Sequence, residues 1–276
     1  MEAYGLVKSG GNVYQLITER SKTWRNIPQK YRNDEDGIGD SEDLNGMKPL
    51  FLTCGENYDF RSRDKLSIFL SYKEAAFLRR QIILHTPGTL LSYLLESGLY
   101  ATATENDFES LEFKLKGFVP ESLYRIYQLA RRYSRFAYLL RIRYTMLYDK
   151  AVGAHEAANE EEREFFRFLN QHQSEFSPVA IDEILEFASS RVSEETCRIF
   201  CRKAARLIEE EKWDELDILI ERREVEIKTS KRSKLRNARD YEPGRPFEKP
   251  AMMSFRWNFT VRNILSEIRE GVSAHE

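Results

Sequence analysis

The chain has 276 residues, 41% of them apolar and 32% charged, with a mean hydropathy of -0.58. This balance supplies material for a sizeable core and excludes extensive disorder or membrane residence. Forty-three Lys and Arg against 45 Asp and Glu leave a formal charge of -2, so bulk charge demands neither nucleic acid nor an anionic membrane as partner.

No apolar run approaches the ~18 residues of a membrane helix, and the opening MEAYGLVKSGG lacks a basic-then-apolar-then-small signal pattern. A cytoplasmic protein with no membrane contact is expected. Three cysteines, Cys54, Cys197 and Cys201, cannot all pair within one chain, and none has zinc-ligand spacing. Cys197 and Cys201, one turn apart on a predicted helix, read as small core-facing hydrophobes.

In chain order, Val13, Leu16 and Ile17 space a short helix over residues 12–22. Residues 33–45 mix six acids with Gly37 and Gly39, which reads as a surface loop whose spacing fails the EF-hand pattern. Ser71 and Glu74 form a capping-box signature, so a helix should start at Tyr72 and end by Thr86. A second helix is predicted from Pro87 to Ser97, closed by Gly98, with Leu90, Leu91, Leu94 and Leu95 as core. Residues 111–115, and less clearly 65–70, alternate like short strands.

Pro120 opens the longest periodic stretch, a central helix running to Gly153. An acidic helix follows over 156–175, then Ser177 and Ser193 cap two more, the second ending near Glu211. Helical register resumes from Trp213 to about Leu235. Three prolines in YEPGRPFEKP (241–250) deny a helix and predict an extended connector to a last helix, Trp257 to Glu270, ended by Gly271. The fold class is therefore all-α, an irregular multi-helix bundle around a long central helix with few or no strands. Its expected organisation is a variable segment at 1–60, a helical core at 61–240, and a Pro-rich connector with a docking helix at 241–276.

Charge is unevenly placed. Residues 121–150 carry seven basic side chains against Glu121 and Asp149, whereas 151–190 carry nine acids against Arg163 and Arg167. Antiparallel packing of the two blocks would pair them as interhelical ion pairs. The alternative is an arginine face interleaved with tyrosines, including Arg131, Arg132 and Arg135, suited to phosphates and bases. Residues 228–239 (KTSKRSKLRNAR) hold six basic residues and no acid, giving Lys228, Lys231, Arg232, Lys234 and Arg236 as further candidates. They read as a solvated helix end favoured by the macrodipole, a phosphate-binding patch, or a contact for an acidic protein surface.

No catalytic constellation, metal centre or cofactor motif is predicted. His85, His155, His172 and His275 are scattered, and GxSxG, GxxxxGK[ST], HExxH and GxGxxG are all missing. Asp107, Glu112 and Lys114 weakly suggest the acid, acid-x-Lys set of a magnesium-dependent nuclease, which needs strands that this chain is not expected to have. Glu160, Glu161 and Glu164 read as a solvated helix face.

Three stretches, residues 69–95, 129–149 and 254–271, together resemble an uncharacterised family of bacterial proteins carrying a domain of unknown function. The likeness rests on the leucine-rich helix after Pro87-Gly88, the small and aromatic helix ending in Leu147-Tyr148, and the terminal Arg256-Trp257 helix. It implies a bacterial source and a genomic setting among DNA-processing or phage-defence genes, and it carries no catalytic residues. Members of that family are longer at the N-terminus. Arg135, Arg141 and Arg143 stand where its pattern is small or apolar, which favours a surface role for that face. The resulting expectation is a non-enzymatic accessory protein that contacts nucleic-acid phosphate and a protein partner. The alternatives are a protein-interaction module without nucleic acid and, further off, the nuclease.

Overall fold

Every regular element among residues 69–187, 195–240 and 243–273, which the computed structural model describes, is helical. The expected all-α class is what forms. The expectations for residues 12–22, the loop 33–45, Cys54, the Ser193 cap and His275 lie outside the described residues. So does most of the alternating stretch 65–70. The chain divides into two units: residues 107–258 form one, and the described segments 69–106 and 259–273 belong to the other.

In the discontinuous unit, α1 spans Tyr72–His85 and starts as its capping box dictates. Ser71 Oγ accepts from Glu74 N at 3.3 Å, and Glu74 accepts from Ser71 N at 2.8 Å. Helix α2 covers Leu90–Ser97 and begins three residues later than Pro87 suggested. Gly88 sits at φ +74, which breaks the helical path, and the Thr89 hydroxyl supplies the cap by accepting from Ser92 N. A short α3, Tyr100–Thr104, follows.

A π-helical turn, Trp257–Val261, leads into α10, Arg262–Ser273, which packs on α1 and α3. Arg262 Nε donates to the Thr104 carbonyl at 2.9 Å. Gly271 does not stop this helix. It is buried within it, and a Cβ there would lie 2.7 Å from Ala75 Cβ and 2.9 Å from the Leu70 carbonyl oxygen. The glycine is needed for close approach of two elements. Although alanine is the better helix former by about 1 kcal/mol, Gly271→Ala should destabilise this unit by roughly 1–3 kcal/mol through overpacking. A denaturant melt of the variant reads the effect, and a stabilised variant would contradict the packing argument.

In the unit at 107–258, residues 111–115 form one helical turn, α4 (Glu112–Leu115), in place of the expected strand. Leu111 and Leu115, one turn apart, are both buried, a spacing that alternation and a helix share over so short a run. Helix α5, Glu121–Val152, is the 32-residue centre, ended by Gly153 at φ +82. Its partner α6, His155–His172, folds back antiparallel, with Lys150 meeting Glu162 and Tyr138 meeting Phe168. A 3-10 turn (Gln173–Phe176) leads to α7, Pro178–Phe187, whose start Ser177 caps through Ala180 N.

Helices α8 (Glu195–Glu209) and α9 (Trp213–Lys228) complete one core in which Phe136, Leu139, Ile142 and Phe165 are almost fully buried. Cys201 is buried in that core and Cys197 packs against it, as expected. A hydrogen bond with Cys197 and burial push the Cys201 thiol up, so it stays protonated.

From Gly244 to Met253 the chain runs without a helix, as the prolines require, antiparallel down α5. Gly244 N donates to the Val152 carbonyl at 2.7 Å and Phe247 N to Asp149 Oδ1 at 2.6 Å. Lower down, Arg141 donates to the Ala251 carbonyl and Ser134 Oγ to the Met253 carbonyl. This strap seals Asp149, which is 1% exposed and whose carboxyl is pushed above its ordinary value by burial, with the Phe247 N–H opposing. Glu161, expected on a solvated face, is also buried and shifted upward by burial.

A group whose folded-state pKa is raised gives its greatest stability below the ordinary carboxylate range and loses it as pH rises through the raised value. Asp149→Asn keeps the acceptor oxygen for Phe247 and removes the buried charge. Its melting temperature at pH 7 should exceed that of the parent, with the gap closing towards pH 4. A lower melting temperature at both pH values would refute this.

Candidate nucleic-acid interface

Arg131, Arg132 and Arg135 lie on α5 inside a set of ion pairs. Arg131 is paired with Glu112 and leans on the Tyr127 ring, and Arg132 donates to Glu183 at 2.8 Å. Arg135 is paired with Glu109 and donates to Glu175 at 2.5 Å, with His172 Nδ1 3.3 Å from its Nη1. The side chains of Arg131 and Arg135 are 13% and 12% exposed, which leaves little guanidinium surface for a phosphate. Arg143 also faces inward, bridged to Asp217 through Nε and Nη2 at 2.6 and 2.8 Å. Of the three arginines expected to mark a surface stripe, Arg141 alone is exposed.

The expected pairing of the two charge blocks holds only in part: Glu162, Glu175 and Glu183 come from 151–190, whereas Glu109, Glu112 and Asp217 lie outside it, and among the described residues of the basic block Lys150 alone pairs with an acid of the acidic helix itself. The arginines find acids on α4 and the turn before it, the 3-10 turn, α7 and α9. Glu112, held low by its hydrogen bond from Arg131 against burial, is committed to that pair. Asp107 accepts from Ser110 N and Oγ, which closes the turn before α4. Neither acid lies on a strand, and among the described residues no three His, Cys, Asp or Glu side chains gather as a metal site.

The second basic segment is built differently. Helix α9 stops at Lys228, well before Leu235, because Thr229 takes φ 70 and ψ 158, a region L-residues rarely enter. Arg232 N and Ser233 N both donate to the Thr229 carbonyl, so residues 230–232 turn back as a short 3-10 segment. The loop then closes over Glu224, whose side chain is 4% exposed.

Each Glu224 oxygen is used. Oε1 accepts from Tyr144 OH at 2.7 Å, Lys228 Nζ at 3.0 Å and Lys234 N at 3.0 Å. Oε2 accepts from Ser233 Oγ at 2.7 Å and Leu235 N at 3.0 Å. Burial works against the charge, but hydrogen bonds from Tyr144, the Leu235 amide, Ser233 and Lys228 outweigh it and hold the carboxyl at about 2. Around this centre, Asn237 Nδ2 donates to the Ser230 and Ser233 carbonyls, and Arg236 Nη1 to Ser230 Oγ at 3.1 Å.

The loop sorts its cations. Lys228 is drawn to Glu224 and over the Tyr144 ring, and Lys234 Nζ lies 4.8 Å over the Phe247 ring. Lys231, Arg232 and Arg236 are exposed and make no ion pair among the described residues. The two basic segments do not converge: Tyr144, where the loop attaches, lies 13 residues beyond Arg131, roughly 20 Å along α5. Sequence reasoning found the cations and missed Glu224. Glu224 stands between Glu221 and Glu226 before the basic run, and nothing in the sequence marks it out from them.

Fold and site together define an all-α protein that presents a cationic loop closed over a buried carboxylate. No family model, curated protein or solved structure matches the chain. Among the described residues, no helix is long and apolar enough to cross a membrane.

Proposed function

We propose that the protein contacts nucleic-acid phosphate through Lys231, Arg232 and Arg236, as an accessory component of a bacterial DNA-processing or defence assembly. The observation that carries the reading is the Glu224-centred loop, whose backbone is tied by hydrogen bonds and which exposes three cations that make no ion pair among the described residues. A preorganised loop loses little conformational freedom on binding, so more of each phosphate contact appears as affinity. Its setting in such an assembly follows from the family resemblance alone.

Anisotropy titrations with labelled single- and double-stranded oligonucleotides at two salt concentrations test the contact. Affinity should fall steeply with salt, and the variant Lys231→Glu, Arg232→Glu, Arg236→Glu should lose binding while melting like the parent. Equal binding by variant and parent would end the proposal. A second reading, docking to a protein partner, is favoured by Phe113 and Phe118, which are 82% and 61% exposed. Retention of a partner that high salt does not weaken would favour it.

A further inference from the structure

A cleft of about 350 Å³ opens between the end of α6, the following 3-10 turn and the α8–α9 corner, on elements the phosphate-contacting loop does not use. Its floor is apolar, formed by the buried Leu169, Phe176 and Ile208. Its walls include Phe166 and Trp213, which meet edge to face at 5.4 Å. Trp213 remains partly exposed where it lines the cleft.

The rim carries charge of one sign. Glu209 and Glu211 line the cleft, and no Lys, Arg or His does. Between them in sequence, Glu210 does not line it and is tied to Lys212 at 2.7 Å. Glu209 and Glu211 make no ion pair among the described residues, so of the three consecutive acids the two at the cleft are the ones left without a cation. Glu211 also holds φ 53, which fixes the corner that carries it. Asn170 and Gln173 add exposed amide side chains to the lining.

We propose that this cleft binds an organic cation on an alkyl stem, a guanidinium or primary ammonium group. The stem meets the apolar floor, the cation meets Trp213 and the two carboxylates, and amide oxygens accept the remaining N–H groups. An anion finds no positive partner there. A metal ion finds too few ligands, and a neutral alkyl chain leaves the carboxylates unmatched. The volume is at the small end for ligand sites, which suits a group of this size. The same chemistry comes from a free alkylamine or alkylguanidine, or from a Lys or Arg side chain on a protein partner.

Titrating the full chain with n-butylguanidinium and n-butylammonium chloride at low salt, by calorimetry and by the Trp213 indole N–H resonance, tests the site. Saturable binding with the Trp213 signal shifting in step is the expected result, at least about tenfold weaker in the Glu209→Gln, Glu211→Gln double variant. Both glutamates are exposed, so the variant should melt like the parent, and the Trp213 shift in the unaltered protein tests the site independently. No saturation, equal affinity for n-butanol, or an unchanged affinity in the double variant would overturn the proposal. A capped peptide with a single arginine identifies the source. Tighter binding than butylguanidinium points to a protein partner, and weaker binding to a free small cation, the site standing in both cases.

Discussion

Glu224→Ala should lower the stability of the unit at 107–258 by about 2–4 kcal/mol and loosen the loop that carries Lys231, Arg232 and Arg236. Five donors lose their acceptor at once: Tyr144 OH, Lys228 Nζ, Ser233 Oγ and the amides of Lys234 and Leu235. Ser233 is fully buried, so its hydroxyl cannot simply turn to water. Ser233, which bonds both Glu224 and the Thr229 carbonyl, would no longer be held from the Glu224 side, which weakens the turn that keeps Thr229 at φ 70.

The same carboxylate sets an acid limit. Its folded-state pKa is depressed from 4.5 to about 2, so its stabilisation is present above pH ~4.5 and is lost as pH falls towards 2. At about 1.4 kcal/mol per unit, that loss is roughly 3 kcal/mol. Melts of parent and Glu224→Gln between pH 2 and 7 should therefore converge at the acid end. Parallel curves across the range would show that Glu224 does not carry this stabilisation.

Asp217→Ala should cost still more, about 3–5 kcal/mol, because it strands the Arg143 guanidinium in the core. Arg143 is 4% exposed, and its Nη1 already lacks a hydrogen-bond partner. Among the described residues, the Phe165 ring, 5.2 Å away, would remain to receive the charge. Replacing both partners with apolar residues, Arg143→Met with Asp217→Leu, should recover most of the loss, since the cost lies in the unmatched charge. Urea melts of the two single variants and the double decide it. A double variant as unstable as Asp217→Ala would mean that the pair fixes packing that apolar groups cannot replace.

Local signals were read well where one residue type has one geometric meaning. Ser71 with Glu74, Ser177 before Pro178, and Gly153 after α5 all act as their chemistry suggests. Gly271 was misread because a glycine that ends a helix and one that admits a neighbouring backbone look alike in sequence. Thr229 shows no such signal for the opposite reason: a β-branched residue is the last one expected at positive φ, and what holds it there is the turn in which its N–H donates to the Val225 carbonyl and its own carbonyl accepts from Arg232 N and Ser233 N. The arginines of α5 were legible as a basic face. Their partners come from segments up to 74 residues away, so pairing could not be told from phosphate binding. Lys231, Arg232 and Arg236 were picked from composition alone, and what distinguishes them from Lys228 and Lys234 is a set of contacts that no spacing rule describes.

The placement of α10 bears on the order in which the chain is made. Its partner α1 leaves the ribosome early, and residues 107–258 must follow before α10 exists. At synthesis rates of about 5–20 residues per second, that interval is roughly 8–30 s. Throughout it, the α1 surface at Ala75 that Gly271 will cover lacks its native cover, while the inserted unit has all of its own helices by the time the interval ends. Of the described helices, those that precede the inserted unit therefore wait longest for their native cover, and shielding by a chaperone would matter most for them.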